Sequence, residues 1–384
     1  YWVGFYGHHN RLDHCSFLNK LNMGVLLAVM LEEKSWRENY HSIDSNYFGR
    51  RPPLGSNGGE IIRVGVSQTS MHNSTTFIHH NLFLDCDGEA EVISIKSGGN
   101  FIRDNVFKRC QGALVLRHGN NNTVEHNIFY GDGKESTGGV RVINEGQWVV
   151  NNLFINCVGT GFRSPMAIMN GVPNSPVNRY LAVKDAVIAN NTFRDCKALG
   201  FGDGSDAERS APPTNVYFIN NIISNYKDSV AIRFFEPKAK NVFDNNTINT
   251  GIINYDEVLQ PKQLLPSSFA KQASKRLQYG WPETIGYDFE KIAVNSIVPK
   301  IIYYTGCTPQ ISYGHNEAQS EPVIPVQCKN FQELKTAIES DNEIITLTGN
   351  DYRLESSILI DHDVALSAGS RLGNISFSST KGLP

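Results

Sequence analysis

The chain has 384 residues, 40% of them hydrophobic and 19% charged, which excludes a disordered or low-complexity protein and is long enough for two domains. Its formal net charge of -3 argues against a general nucleic-acid binder, which needs an excess of Lys and Arg to neutralise phosphates. No apolar run reaches transmembrane length, so no membrane partner is expected.

The opening stretch, YWVGFYGHHNRLDHCSF, alternates like a strand inside a domain, so an N-terminal cap and any leader are expected upstream of residue 1. A recurring frame then appears: HHNLFLDC (79–86), IRDNVFKRC (102–110), VEHNIFYGD (124–132), VVNNLFINC (149–157), IANNTFRDC (188–196), FINNIISN (218–225) and VFDNNTIN (242–249). Its asparagines are Asn81, Asn105, Asn127, Asn152, Asn191, Asn221 and Asn246, stepping by 24, 22, 25, 39, 30 and 25 residues. Short alternating runs between Gly and Asn turns, at a period of twenty-odd residues, predict an all-β parallel β-helix over residues 1–255. The two longest steps are then coils carrying inserted loops. Cys86, Cys110, Cys157 and Cys196 each follow the frame Phe by three residues, which predicts a buried row of small core residues without disulfides. Stacked asparagines can bond along their own row, so they need no chemical role.

Residues 256–325 carry seven prolines, lose the frame and read as an irregular connection. NFQELKTAIES then opens with Asn330 as N-cap and Glu333 three residues on, a capping box. Three short strands follow, EIITL, SILI and VALSA, so residues 326–384 are expected to be the cap and first coils of a second β-helix domain, itself continuing beyond residue 384.

Charge concentrates in DGEAEVISIKSGGN (87–100). Glu89 and Glu91 point to one face of a strand, where they repel unless a cation or proton lies between them. On successive coils, Lys96 and Arg117 fall at one position, two residues before Gly98 and Gly119, which predicts side chains about 5 Å apart. One coil earlier, Glu60 aligns with Glu91 and Asn57 lies beside Gly88, so an amide oxygen can join the two carboxylates around one cation. Such hard oxygen donors suit calcium. Arg141 lies one coil on, just before that row. Residues 92–165 hold eight Lys or Arg against five Asp or Glu, so this flank attracts polyanions despite the acidic total. An Arg and a divalent ion beside Lys96 disfavour its protonated form, which makes it the candidate base. The same residues also admit bland roles: a solvated salt-bridge row, a surface Arg117, a turn for His118, a loop-shaping Arg163, and His79 and His80 as part of the frame.

RPPLGSNGGEIIRVG, DGEAEVISIKS, GALVLRHGNNNTVEHNIFYGDG and GGVRVINEGQWVVNNLF together resemble polysaccharide lyase family six, the alginate lyases and chondroitinase B, over about residues 1–255. The resemblance implies a right-handed parallel β-helix, in some members followed by a second one. It implies calcium held by Asn57, Glu89 and Glu91, Lys96 as the base and Arg117 as the acid, with His118 and Arg163 near the substrate. Arg141 is placed at the substrate by coil position alone. The implied reaction is β-elimination on a uronic-acid polymer. NGGE after RPPLG looks more like the alginate enzymes, so mannuronate-rich alginate is favoured over dermatan sulfate. A non-catalytic glycan-binding module is the alternative outside enzymes, and a hydrolase would need paired carboxylates across the groove. The expected partners are an anionic polysaccharide and a second copy of the chain in a homodimer, and the expected location is secreted or periplasmic.

Overall fold

The Asn-x-Phe frame marks one corner of a coil. In each repeat the residue before the frame Asn is left-handed: His80, Asp104, His126, Asn151, Asn190, Asn220 and Asn245 have φ between 51° and 59°. Asn, Asp and His are the side-chain types that best tolerate that conformation, which accounts for the HN, DN and NN doublets. The frame Asn then turns inward. Asn127 Oδ1 accepts from both the backbone N–H and the Nδ2 of Asn105 at 3.0 Å, and Asn105 Oδ1 does the same for Asn81. The row runs from Asn46 to Asn246, so each coil's buried amide is satisfied by the next. A second polar row, Asn100, Asn122 and Gln147, holds the neighbouring corner.

The computed structural model describes residues 1–55, 57–236, 240–251, 267–283, 285–287, 326–340, 344–347, 359–360 and 365–368. These form a right-handed parallel β-helix whose coils each contribute three short strands to parallel sheets of ten, twelve and nine strands. Phe17, Phe48, Phe83, Phe107, Phe129, Phe154 and Phe193 stack down the interior with ring centroids 4.4–5.2 Å apart, the spacing that successive coils impose. Beside them Cys86, Cys110, Cys157 and Cys196 are buried free thiols, the interior row expected from the sequence, while the buried thiol Cys15 stands at the frame-Asn position and donates its backbone N–H to Asn46 Oδ1.

Two segments differ from expectation. Within 256–325 the described residues include a helix, Ser267–Arg276, not an irregular connection throughout. Phe269, Ala273 and Leu277, four residues apart, seal it onto Trp148, Val150, Val187, Ala189 and Ile219 on the outside of the twelve-stranded sheet. The helix Phe331–Glu339 forms as predicted, with Asn330 Oδ1 accepting from Glu333 N at 2.9 Å. The strands after it, however, pair with the first coil: Leu359–Ile360 with Val3–Phe5, and Ala365–Ala368 with Arg11–Asp13. They extend the first β-helix at its N-terminal end where a separate second helix was expected. Residues 288–325 and most of the C-terminal strand region lie outside the described residues.

Burial leaves a titration signature at His41, a fully buried ring whose Nδ1 accepts from Asn10 N at 3.0 Å. Burial pushes its pKa down to about 3 from the usual 6.5. The unfolded chain therefore takes up a proton below pH 6.5 that the folded chain refuses, so stability falls as pH drops from 6.5 towards 3. Between pH 7 and 5 this one group costs about 2 kcal/mol. Urea unfolding of wild type and His41→Asn at both pH values checks it: the variant should lose about 2 kcal/mol less, and equal pH slopes would refute it.

Candidate active site

The strands Glu91–Lys96 (EVISIK), Ala113–His118 (ALVLRH) and Val140–Val142 lie side by side in the ten-stranded sheet. Ile95 faces Leu116, but Lys96 faces His118, because a bulge inserts Arg117 into the pairing. The expected common register of Lys96 and Arg117 is thus corrected by one residue. A bulge re-aims the extra side chain, so both cations still end at the same strand termini, each partly exposed.

Beneath them sits a crowded acidic group. Glu89 is buried and its carboxyl is pushed up to about 8, first by burial, then by the neighbouring charge of Glu60 and a hydrogen bond with it, then by Glu91. Glu60, only 2% exposed, was aligned in the sequence but not assigned to the site. Its Oε1 lies 3.9 Å from Lys96 Nζ, and its buried Oε2 has no partner among the described residues. Glu91 accepts from Ser94 Oγ at 2.5 Å and from Arg141 Nη1 at 3.3 Å. Asn57 is exposed on a turn whose Gly59 presses on Gly88 so closely that a Cβ there would lie 2.4 Å from the Gly88 carbonyl carbon. That contact sets Gly59, two residues after Asn57, against Gly88 at the turn leading into Glu89.

Burial first, and then the crowding of Glu60 and Glu91, keeps the Glu89 carboxyl raised although Lys96, Arg141, Arg117 and the buried Arg51 also face the cluster. The carboxylate oxygens, with the Asn57 amide, fit a hard divalent cation. No group of three His, Cys, Asp or Glu among the described residues is already closed around a point, since Glu91 is turned towards Ser94 and Arg141.

The remaining site residues surround this centre. Arg117 donates from Nη1 to Arg179 O at 3.0 Å, and burial lowers its pKa from the ordinary arginine value. His118 is buried, with Nε2 3.1 Å from Ser67 Oγ, so it is no solvated turn residue. Burial, then the charges of Arg117 and Lys96, push its pKa down to about 3 and keep the ring neutral. Arg141 is also buried: it pairs with Glu91, donates from Nε to Phe162 O at 3.0 Å, and keeps Nη2 without a partner among the described residues. Its first structural task is charge compensation under the groove. Arg163 ends the short turn Gly161–Arg163, half-buried, its Nε likewise unpartnered.

Fold and site together define a parallel β-helix protein with a strip of cations above a buried carboxylate cluster. A family model described as Chondroitinase B matches residues 1–275, and the chain belongs to this family, polysaccharide lyase family six. Among solved structures, the family-six alginate lyase AlyGC is similar at 38% identity and a TM-score of 0.64, over 96% of this chain and 50% of that one. A mannuronic acid specific family-six lyase from human gut microbiota matches at 34% identity and a TM-score of 0.53, over 67% of this chain and 54% of that one. An alginate lyase of the family in complex with a trisaccharide matches at 25% identity and a TM-score of 0.60, over 76% and 67%. The chain thus spans about half the length of the first two. No curated protein matches it significantly.

Proposed function

We propose that this protein is a lyase that cleaves mannuronate-rich alginate by β-elimination with the help of calcium, acting outside the cytoplasm. The observation that carries the proposal is the placement of Lys96 and Arg117 on adjacent strand ends above the Glu60, Glu89 and Glu91 cluster. A binding module has use for the positive charge but none for a lysine set beside a calcium site.

In a uronate the C5 proton is α to an ionised carboxylate, and its removal adds a second negative charge to the same group. Lys96 Nζ, at the mouth of the groove, takes the C5 proton. The C5–H electron pair becomes the C4–C5 double bond, the C4–O4 bond breaks, and O4 leaves with a proton. Arg117, held by Arg179 O, sets its guanidinium charge against the developing anion. Arginine releases protons poorly, so the proton reaching O4 comes from protonated Lys96 or from water, with Arg117 chiefly an electrostatic stabiliser. Neutral His118 braces the floor beside Lys96, and Arg141 holds Glu91 in place. Calcium bound by Asn57, Glu89 and Glu91 would polarise the uronate carboxylate as a Lewis acid.

Similarity to a mannuronic acid specific relative supports the choice of polymannuronate, and the Chondroitinase B family description keeps dermatan sulfate as the second substrate to try. The test is ultraviolet absorbance over time on polymannuronate, polyguluronate and dermatan sulfate, with calcium or with chelator. The unsaturated product absorbs, so a rise on polymannuronate is expected. A rise on dermatan sulfate alone would move the substrate, and no rise on any polymer would leave a glycan-binding module.

A further inference from the structure

The two longest steps of the repeat, 39 and 30 residues, insert their loops beside Arg117. The first insertion leaves the sheet at Gly171 and folds back so that Val172 N donates to Tyr180 O at 2.7 Å. The second bridges to it through Gly171 and Ala211, and through Arg179, whose Nε donates to Glu208 Oε1 at 2.9 Å. Tyr180 stands where the insertion returns to the sheet, is only 8% exposed, and packs with Ala113, Val115, Ile143, Ala167 and Met169. The Arg117 guanidinium carbon lies 4.2 Å from the centroid of its ring, and that of Arg209 5.6 Å from the same centroid. Arg209 is itself fixed by Gly204 O at 2.6 Å, and Phe162 flanks the group at 6.2 Å from Tyr180.

We propose that Tyr180 is a positioning residue for the elimination, its ring forming a platform that, with the Arg179 carbonyl, fixes the Arg117 guanidinium over the groove. The inference rests on the lyase reading above and adds to it a residue that the sequence did not single out. Arg117 sits in a bulge, so the strand ladder does not set the direction of its long side chain. A guanidinium stacks well on an aromatic face, and that contact is strongest where water is excluded, as at this buried ring. The Arg179 and Asn178 carbonyls take Nη1 at 3.0 Å and Nη2 at 3.5 Å, and the ring fixes the plane of the guanidinium.

Steady-state kinetics on polymannuronate with calcium test the role, using wild type, Tyr180→Phe, Tyr180→Leu, Arg117→Ala and Tyr180→Leu/Arg117→Ala. Tyr180→Leu should lower kcat by about ten- to a hundredfold with KM within about twofold, the scale of a misplaced catalytic group. Tyr180→Phe, which keeps the ring, should retain most of kcat, and in the Arg117→Ala background Tyr180→Leu should add little. Wild-type kcat in Tyr180→Leu, or effects of the two substitutions that multiply independently, would overturn the proposal. Equal damage in Tyr180→Phe and Tyr180→Leu would overturn it too, and would assign the role to the hydroxyl. Should Tyr180→Leu not fold, the unbranched Tyr180→Met takes its place, and unfolding of both would make Tyr180 merely structural. If wild type cleaves no polymer, the lyase reading fails separately. Unfolding midpoints of the same variants then decide: fully additive shifts would reject the Arg117–Tyr180 coupling, and non-additive shifts would uphold it.

Discussion

Lys96→Arg should lose the elimination almost completely, by about three orders of magnitude in kcat, although it keeps the positive charge. The two possible duties of Lys96 separate here. As a counter-ion, it lies 3.9 Å from the buried carboxylate of Glu60, and an arginine can fill that duty. As a base, it must give up its own proton before taking one from the sugar, and a guanidinium does not do so in the working pH range. Lys96→Ala should be equally inactive but less stable, since it leaves Glu60 buried beside Glu89 without its cation. Initial rates on polymannuronate, with thermal unfolding of the three proteins alongside, separate the duties. A Lys96→Arg enzyme within tenfold of wild type would show that charge alone is needed, and the base would then have to be sought elsewhere in the groove.

The parts of this molecule legible in the sequence are those set by repetition. An Asn that must bond to the Asn of the next coil, a left-handed residue before it and a Phe stacked on a Phe recur because each coil poses the same physical problem. The helix Ser267–Arg276 was legible in principle, through Phe269, Ala273 and Leu277, but its prolines-and-polar surroundings hid the four-residue spacing. The Arg117 bulge was not legible, because a one-residue slip leaves the local sequence unchanged and only the pairing of neighbouring strands shows it. Glu60 was visible as an aligned acid. Its importance comes from burial against Glu89, which depends on how closely Gly59 meets Gly88. Tyr180 lies in an insertion outside the repeat, where the periodic pattern carries no information. The pairing of the C-terminal strands with the first coil was not legible either, because strand propensity does not specify a partner.

Calcium binding should release about one proton per ion at pH 7, and this release should vanish in Glu89→Gln. In the metal-free protein the Glu89 carboxyl is pushed up to about 8, by burial first and by Glu60 next, so it is mostly protonated at neutral pH. A divalent ion held by Asn57, Glu89 and Glu91 would reverse the sign of the local field, and the carboxyl would have to ionise to serve as a ligand. The stability linkage has a definite direction. A carboxyl whose folded pKa lies above its unfolded value near 4.5 favours the folded state at low pH and loses that advantage as pH rises through 8. Chelated protein should therefore be less stable at pH 8 than at pH 5 through this group, by on the order of 3 kcal/mol. Calcium at a hundredfold excess over its Kd should restore about 2.7 kcal/mol. Calorimetric titration in two buffers of different ionisation enthalpy counts the protons, and thermal unfolding with calcium or chelator across pH 5 to 8 reads the linkage. An apparent binding enthalpy independent of buffer would mean that Glu89 is already ionised without the metal, with Lys96 and Arg141 sufficient to balance the cluster. A chelated protein whose activity and melting point match those of the calcium form would place the whole burden of stabilising the carbanion on Arg117.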